Sequence, residues 1–463
     1  MATTYLTDTQ GTPTNNLKWT WSTWLKRGAV NSGAVENIFT TYVDASNLFY
    51  IRFEDTDCIY IRNIASVGTG GKLITNAKYR DPAAWYHIVF VYDSANASAG
   101  DRMRLYVNGV EETSFSLDTN PSSSQVCTMN ADTRVVELGR RSDEVTNFTG
   151  ILAHTHFCDG QAYAASDFGE TDATSGIWIA KTSPSVTYGN NGFFLKYASG
   201  ALGTDSSGES NDFTVSGTMT NTKDTPDNNF CTWTPLLNRV TNASTFTNAN
   251  TTVKNTNANW GSLGGSLLAR SGKWYYEAIG GNTTGPGYMH YGFCSTEYFA
   301  QGGGSGGVQG EPSGVVYKPC YTYYGSNGNI YYATNSAINQ SSAYGATYAN
   351  TDYIGVFLDL DNLKMYWSKN GAIQNSGTGM TIDNTNSDFW TPVTGTYVDA
   401  TGHDTNFGNG VFGTTSLGGT TYSDANSEGI FKYSPNDGGA SSFDGSAKNF
   451  YALCTNNIKL YGG

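Results

Sequence analysis

The chain has 463 residues and a formal net charge of −13, and its 26 Lys and Arg residues form no run. This charge pattern argues against a phosphate-neutralising surface, so neither a nucleic acid nor an anionic membrane is an expected partner. No apolar stretch approaches the roughly 18 residues that a membrane span needs, so membrane insertion is not expected. Charged residues make up only 14% of the chain, whereas glycine occurs 55 times and aromatic residues also reach 14%. Strand and turn residues thus replace helix formers, and the composition predicts an all-β fold.

The N-terminus has neither a basic start nor an apolar core, so no secretory signal is expected. Seven cysteines are widely spread and include no Cys-x-x-Cys pair. This odd, dispersed set favours reduced and mostly buried thiols in a protein made in the cytoplasm.

Residues 1–180 are predicted to form a first domain of short strands. In chain order, alternating apolar residues predict strands at 17–25, 38–43, 48–53, 58–62, 85–93, 103–110, 135–139 and 150–160. Asn108-Gly109 is the dipeptide that most readily supplies the positive φ values of a type I′ turn. A helix of about two turns is predicted at 161–168.

Residues 181–245 are predicted to be an irregular connector, in which prolines break any helix and turn residues surround a short strand at 188–195. Residues 246–463 are predicted to form a second β domain. It has strands at 273–279 and 291–294, and a hairpin at 353–367 that turns at Asp361-Asn362. A glycine-, tyrosine- and asparagine-rich insertion separates them at 300–350.

The order of motifs in the first domain resembles a LamG-type, concanavalin-A-like jelly roll. The phrases that carry the resemblance are W-T-W-S-T-W-L-K-R-G, N-L-F-Y-I-R-F, W-Y-H-I-V-F-V-Y-D, L-Y-V-N-G-V, E-L-G-R-R and F-T-G-I-L-A-H-T-H-F-C-D-G-Q-A-Y. The second domain resembles a SPRY domain through K-W-Y-Y-E, Y-G-F-C, Y-I-G-V-F-L-D-L-D-N-L-K-M-Y-W-S-K-N-G, F-W-T-P-V and T-N-F-G, and departs from that family in its long insertion. The resemblances imply two antiparallel β-sandwich (jelly-roll) domains joined by the connector. Folds of the LamG type usually bind sugars or surfaces.

The connector resembles a segment of structural proteins from marine bacteriophages. The similarity rests on G-T-D-S-S-G-E-S-N-D-F and D-T-P-D-N-N-F. It implies a non-enzymatic virion protein, assembled in the host cytoplasm, such as a tail fibre, spike or capsid appendage used for host attachment. Expected partners are other virion proteins, a host surface glycan or receptor, and further copies of the chain, with a trimer favoured. Two alternatives remain open: a capsid decoration or cementing protein without a receptor role, and a glycan depolymerase.

The tyrosines crowded into the insertion are the predicted binding residues. Tyrosine offers a flat apolar face with a hydroxyl and few rotatable bonds, which suits recognition of sugars and proteins. Packing between subunits or over the β core is an equal alternative. The predicted binding residues are Tyr321, Tyr323, Tyr324, Tyr331, Tyr332, Tyr344 and Tyr348; Tyr317 belongs to the same crowded segment.

No catalytic residue is predicted. Asp55 and Asp57 share strand parity and could form the carboxylate pair of a glycosidase, but the E-x-D-x-x-E motif of jelly-roll glycosidases is absent and a solvated loop is the expected alternative. The same two carboxylates, or Asp359, Asp361 and Asn362, could ligate a structural calcium ion. No cofactor is otherwise expected.

No metal site is predicted at His154, His156 and Cys158, although these three alternate along one strand. Every second residue of a strand lies roughly 7 Å further along, which is wide for three ligands of one zinc ion. Packed, hydrogen-bonded histidines are the expected alternative.

Overall fold

The computed structural model describes residues 4–28, 30, 33–66, 70–144, 146–238, 244–255, 261–279, 288–300, 318–334, 340–385, 387, 389–396, 399–436, 443 and 449–462. The chain divides into two compact units, Met1–Asn221 and Thr222–Gly463. Within the described ranges, no helix has the length and apolar character needed to cross a bilayer.

The regular structure of the first unit is almost entirely strand. The strands are β1 (Tyr5–Thr9), β2 (Lys18–Arg27), β3 (Glu36–Asp44), β4 (Asn47–Phe53), β5 (Ile59–Ala65), β6 (Lys72–Thr75), β7 (Trp85–Asp93), β8 (Met103–Val107), β9 (Val110–Glu112), β10 (Phe115–Thr119), β11 (Val135–Leu138), β12 (Gly150–Asp159), β13 (Gly169–Thr171), β14 (Trp178–Ala180), β15 (Phe193–Leu195) and β16 (Thr214–Ser216).

Two antiparallel sheets form a sandwich in this unit. One has the order β10-β6-β5-β4-β3-β11-β1-β16 and the other β15-β12-β2-β7-β8-β9. Aromatic rings from both sheets meet in the core: the Trp19 and Phe49 ring centroids lie 5.2 Å apart, and Trp21 stacks on Phe39 at 5.1 Å. These contacts explain how a chain with few aliphatic residues fills a large core.

The predicted pair of central strands is confirmed. β7 and β8 pair antiparallel, and the turn from β8 to β9 has φ values of 50° at Asn108 and 82° at Gly109, as a type I′ turn requires. Both faces of β7 are buried, because the segment 161–188 covers the outer face of the six-stranded sheet. Its Phe168 and Trp178 pack near Val89 and Trp24.

The predicted helix at 161–168 is wrong. A short 3-10 turn, Ala165–Asp167, is the helical structure found there. The Thr20 hydroxyl on β2 donates to the Gln161 carbonyl at 2.9 Å and accepts from the Tyr163 backbone N–H at 2.8 Å, so these backbone groups are bonded to the sheet and not to a helix.

The second unit is also built of strands, with two short helices. The strands are β17 (Trp233–Asn238), β18 (Ser244–Thr247), β19 (Thr252–Asn255), β20 (Gly261–Gly265), β21 (Lys273–Ile279), β22 (Met289–Ser295), β23 (Cys320–Tyr324), β24 (Asn329–Ala333), β25 (Gln340–Ala343), β26 (Tyr353–Asp359), β27 (Lys364–Lys369), β28 (Ala372–Ile373), β29 (Met380–Thr381), β30 (Trp390–Thr396), β31 (Asp399–Asn406), β32 (Val411–Phe412), β33 (Thr415–Ser416), β34 (Tyr422–Ser423), β35 (Ile430–Phe431) and β36 (Tyr451–Ala452). The helices are α1 (Glu297–Ala300) and α2 (Thr455–Tyr461).

This unit is again a two-sheet sandwich. One sheet has the order β17-β20-β30-β22-β23-β24-β25; the other runs β18-β19-β31-β21-β26-β27-β28, with β29 and β36 attached. Trp233, Trp274, Trp367 and Trp390 are buried in the core between them. The predicted hairpin is present as β26 and β27, which pair antiparallel. An all-β fold with two antiparallel sandwiches is therefore confirmed.

The stretch predicted as a connector is divided between the two units. Its β15 and β16 pair with strands of the first unit, and its β17 and β18 with strands of the second. Within it, the Asp205 carboxylate accepts hydrogen bonds from the backbone N–H groups of Phe194, Ser207 and Asn211, at 2.8, 2.8 and 3.0 Å. The segment around Asp205 is thus a structural loop that fastens β15. All seven cysteines are free and buried, as predicted.

Candidate functional site

The tyrosines predicted to bind a ligand lie mostly inside the second sandwich. Five of the seven are buried, namely Tyr321, Tyr323, Tyr324, Tyr344 and Tyr348. Tyr331 and Tyr332 are half-buried on β24. Their rings pack on one another and on the tryptophans of the core, so five of the seven present no accessible face to a ligand in this structure.

Hydrogen bonds show why these rings turn inward. The Tyr348 hydroxyl lies 2.8 Å from the backbone carbonyl oxygens of both Met289 and Tyr323, which share its one proton. The Tyr321 hydroxyl accepts from the Asp383 backbone N–H at 2.8 Å, and burial raises the pKa of Tyr321 to about 12. A buried hydroxyl needs such partners, and the partners here are parts of the same sandwich.

The two half-buried tyrosines contact other members of the set. Tyr332 stacks on Tyr321 with centroids 5.6 Å apart, and Tyr331 meets Tyr324 edge-on at 5.5 Å. The described parts of the tyrosine-rich insertion therefore form the strands β23 to β25 of the sheet. Other parts of the insertion lie outside the described residues. Tyr317 is one of those undescribed residues.

The carboxylates considered for glycosidase chemistry or calcium have very different surroundings. Asp57 is buried and forms ion pairs with Arg27 at 3.0 Å and Arg80 at 2.7 Å. Arg27 is buried too; it also pairs with Glu36 at 2.7 Å. Asp55 is exposed. These two aspartates do not face a common cleft, and the oxygens of Asp57 are already used by guanidinium groups.

The second calcium candidate is similarly engaged. Asp359 is buried, pairs with Lys273 at 3.3 Å and accepts from the Asn362 backbone and side chain at 2.9 and 2.8 Å. Asp361 accepts from the Gly272 backbone N–H at 2.9 Å. The bonds between Asp359 and Asn362 close the turn between β26 and β27, and the Asp361 bond ties this turn to the residue before β21.

A β-bulge interrupts the alternation of the two histidines on β12. The register shifts between Ala153 and His156, and His154 has a φ of 48°. The His156 ring stacks on Phe194 at 3.9 Å, and its Nδ1 lies 2.9 Å from the Tyr188 hydroxyl. Burial lowers the pKa of His156 well below its ordinary value. In the part of the chain that the structure describes, no three His, Cys, Asp or Glu side chains converge on a metal position.

A different group of residues forms a cavity of about 100 Å³ on the second unit. Three neighbouring strands build its floor, because Asp404 on β31 pairs with Ile279 on β21, and Ile279 pairs with Tyr353 on β26. The hairpin of β32 and β33 and the start of the chain after β35 form its walls. The lining residues are Ile279, Tyr353, Asp404, Phe412, Thr415, Ser416, Leu417, Gly418 and Lys432.

Aromatic packing fixes one wall of this cavity. The ring of Tyr353 lies between Phe412 at 5.2 Å and Tyr433 at 5.8 Å, edge-on to both. Tyr353 is half-buried and keeps part of its ring accessible. An accessible ring held by two others is a rigid apolar surface.

Polar groups line the same cavity. The Asp404 Oδ1 accepts a hydrogen bond from the Thr252 hydroxyl, which leaves Oδ2 to accept from a ligand. The Lys432 amine donates to the Gly418 carbonyl and has further protons to donate. Thr415 and Ser416 are exposed and add hydroxyl groups.

Glu277 holds the Lys432 side of the cavity in place. Its carboxylate is buried and accepts from the backbone N–H groups of Lys432 at 2.8 Å and Tyr433 at 2.7 Å. The Tyr275 hydroxyl and the Asn406 amide donate to it at 3.0 and 3.3 Å. Burial, only partly offset by these bonds, raises the pKa of Glu277 to about 7.

The sequence does not predict this cavity, because its lining residues are far apart in the chain and their sequence neighbours form no recognisable motif. The period-two patterns around Ile279 and Tyr353 predict strands, but they do not say which strands are neighbours. Only the registers of β31, β21 and β26 bring Asp404 next to them.

Comparison with known proteins supports the fold of the first unit. Residues 2–166, about a third of the chain, match the family model of the concanavalin A-like lectin/glucanases superfamily. The first unit therefore has a lectin- and glucanase-like β-sandwich fold, of a kind that could bind carbohydrate. Among curated proteins, none matches the chain.

Three solved structures are similar to parts of the chain. A human SPRY domain is 15% identical, with a TM-score of 0.25, over 34% of this chain and 90% of its own. The heptameric SAP-like pentraxin of Limulus polyphemus is 14% identical, with a TM-score of 0.30, over 47% of this chain and 89% of its own. The SPRY domain of human HERC1 is 14% identical, with a TM-score of 0.25, over 34% and 86%.

Proposed function

We propose that the protein is a non-enzymatic structural component of a bacteriophage virion, a fibre, spike or capsid appendage that binds a host surface glycan. The observation that carries the binding role is the cavity around Asp404, where an aromatic wall, a carboxylate, an amine and hydroxyls converge. The lectin-like fold of the first unit supports carbohydrate recognition. The phage-like phrases of residues 203–213 and 224–230 support the virion role.

The chemistry of this cavity suits one sugar unit held at a surface. The accessible part of the Tyr353 ring can pack on the apolar face of a pyranose, while Asp404 accepts from its hydroxyls and Lys432 donates to its oxygens. The cavity is smaller than the roughly 300–1,000 Å³ of pockets that enclose a drug-sized ligand. It therefore favours shallow recognition of a chain end or side branch over enclosure of a substrate.

A depolymerase is less well supported. Retaining glycosidases need two carboxyl groups about 5 Å apart that face the substrate. Asp57 is instead buried between Arg27 and Arg80, and Asp55 is exposed. We expect no release of reducing ends from host polysaccharide, and no effect of Asp55→Asn in that assay.

The assembly is proposed as a homo-oligomer, with a trimer favoured, that contacts other virion proteins. Electron microscopy of intact particles, with the chain located by an antibody, tests the position and the symmetry together. Binding to particles but not to host cells would favour the capsid decoration role.

The glycan role is tested by binding of the full-length protein to host cells and to immobilised oligosaccharides. Removing one charged hydrogen-bond partner costs about 1.5–3 kcal/mol, so Asp404→Asn and Lys432→Ala should each weaken binding about tenfold or more. Lys459→Ala removes the same charge from an exposed position of α2 and serves as the matched control. Unchanged binding by both cavity variants would refute the assignment of the glycan site.

A further inference from the structure

The outer face of the eight-stranded sheet in the first unit carries two neighbouring cations. Arg62 on β5 pairs directly with Lys72 on β6. The next row holds Tyr60 opposite Ile74. These four side chains are half-buried, whereas the residues between them point into the core. We call them the Arg62–Lys72 face.

The two cations are in the closer kind of cross-strand pair. The Asn63 backbone N–H donates to the Gly71 carbonyl at 2.9 Å, which makes Asn63 and Gly71 a hydrogen-bonded pair. The adjacent pair of Arg62 and Lys72 is then non-hydrogen-bonded, with Cα atoms only about 4.5 Å apart. Like charges directly opposite each other in a sheet are destabilising.

Within the described residues, no carboxylate lies within ion-pairing distance of either cation. The acidic residues near this face form ion pairs with Arg52 instead: Glu54 at 2.7 Å and Glu144 at 3.5 Å. The residues of the first unit that are not described, 1–3, 29, 31–32, 67–69 and 145, include no acidic residue. Two adjacent cations with no ion-pair partner among the described residues contrast with the net charge of −13 of the chain.

The hydrogen-bonding capacity of Arg62 is also incompletely used. Its Nε is buried and has no acceptor among the described residues. The neighbouring row adds ring surface: Tyr60 meets Tyr50 edge-on at 5.1 Å, and the Arg52 guanidinium lies 5.3 Å from the Tyr60 ring centroid. The Tyr60 ring is therefore held in position beside the two cations.

We propose that the Arg62–Lys72 face binds an acidic polysaccharide, with a carboxylate or sulfate group seated between the two cations. The anion neutralises the repulsion between Arg62 and Lys72, and Tyr60 and Ile74 supply an apolar surface for the adjoining sugar ring. This site lies in a different unit from the cavity around Asp404. It goes beyond the proposed function by adding a second ligand class, and either site can fail without the other.

The test is titration calorimetry of the full-length protein with four polymers: polygalacturonate, dextran sulfate, neutral dextran and a 20-base-pair DNA duplex. We expect binding to the two acidic polysaccharides, weakening as salt is raised, and none to dextran. Stronger binding of polygalacturonate would identify the anion as a carboxylate, and stronger binding of dextran sulfate would identify it as a sulfate.

The variant that combines Arg62→Ala with Lys72→Ala should bind the acidic polymers with a Kd at least about tenfold higher than that of the wild type. Its thermal unfolding temperature should equal or exceed that of the wild type, because a repulsive pair is removed. Lys78→Ala, at an exposed position of the same unit, is the control for net charge and should bind as the wild type does.

Three outcomes would overturn the proposal. They are no binding of either acidic polysaccharide, equal losses in the double variant and in Lys78→Ala, and equal or tighter binding of the DNA duplex. Because the cell-binding test depends on Asp404 and Lys432, its result does not decide this one.

Discussion

Replacing Glu277 by glutamine should change how the stability of the protein depends on pH. Glu277 has a pKa of about 7 in the folded protein, against an ordinary value of 4.5. The folded state therefore holds this proton more tightly than the unfolded chain does. Its contribution to stability is fully present below pH 4.5 and is lost as the pH rises through 7.

The magnitude follows from the shift. Each pKa unit corresponds to about 1.36 kcal/mol, so a carboxylate that ionises near pH 7 instead of 4.5 costs about 3 kcal/mol of folding free energy at alkaline pH. Glutamine is neutral at every pH, so Glu277→Gln removes this dependence. It also places an amide opposite two backbone N–H donors, and we therefore expect a lower absolute stability for the variant.

Urea denaturation followed by tryptophan fluorescence at pH 5 and pH 8 measures the effect. The free energy of unfolding of the wild type, relative to the variant, should be about 2–3 kcal/mol higher at pH 5 than at pH 8. Burial lowers the pKa of His290 to about 3, which favours stability at the higher pH, but this contribution is common to both proteins and cancels.

Ser341→Ala, at an exposed position of the same unit, changes no ionisable group; it is the control and should leave the pH dependence unchanged. A difference between wild type and Glu277→Gln that stays constant within about 1 kcal/mol from pH 5 to pH 8 would refute the reasoning.

Two further predictions concern stability. Asp57→Asn should lower the free energy of unfolding by about 3–5 kcal/mol, because it removes one of the two carboxylates that pair with the buried Arg27 guanidinium. The exposed Asp55→Asn should stay within about 0.5 kcal/mol. Urea denaturation separates the two variants, and equal effects would contradict the buried ion pair. Gly109→Ala forces a φ of 82° on a residue whose Cβ would lie 2.7 Å from the Trp178 ring, so its melting temperature should fall. Gly100→Ala, which meets nothing within 4 Å, should not change it.

The strands with strict alternation could be predicted from the sequence. The predictions are correct for the strand around Ile88 and Phe90 and for the hairpin around Val356 and Met365. One face of each is apolar and packs in a core. Local chemistry also sufficed for the turn at Asn108, since the conformation depends on two residues alone.

The residues of the candidate sites could not be predicted in the same way. The glycine-rich composition around Tyr321 and Tyr323 suggested an accessible surface, although the alternation of these two residues is itself a strand signal. Their hydrogen-bond and ring-packing partners are carbonyls and aromatic rings on strands that are distant in the sequence, so only the fold brings them together. The cavity around Asp404 likewise depends on strand order, which no local pattern specifies.

The covered outer face of the six-stranded sheet has a practical consequence for making pieces of this protein. A fragment that ends where the family match ends would lack Trp178 and the rest of the covering segment. Val89 and Val91 would then face water in an exposed apolar patch, which promotes aggregation. We expect a fragment that continues to Asn221 to remain dispersed during expression, and a shorter one to collect in inclusion bodies.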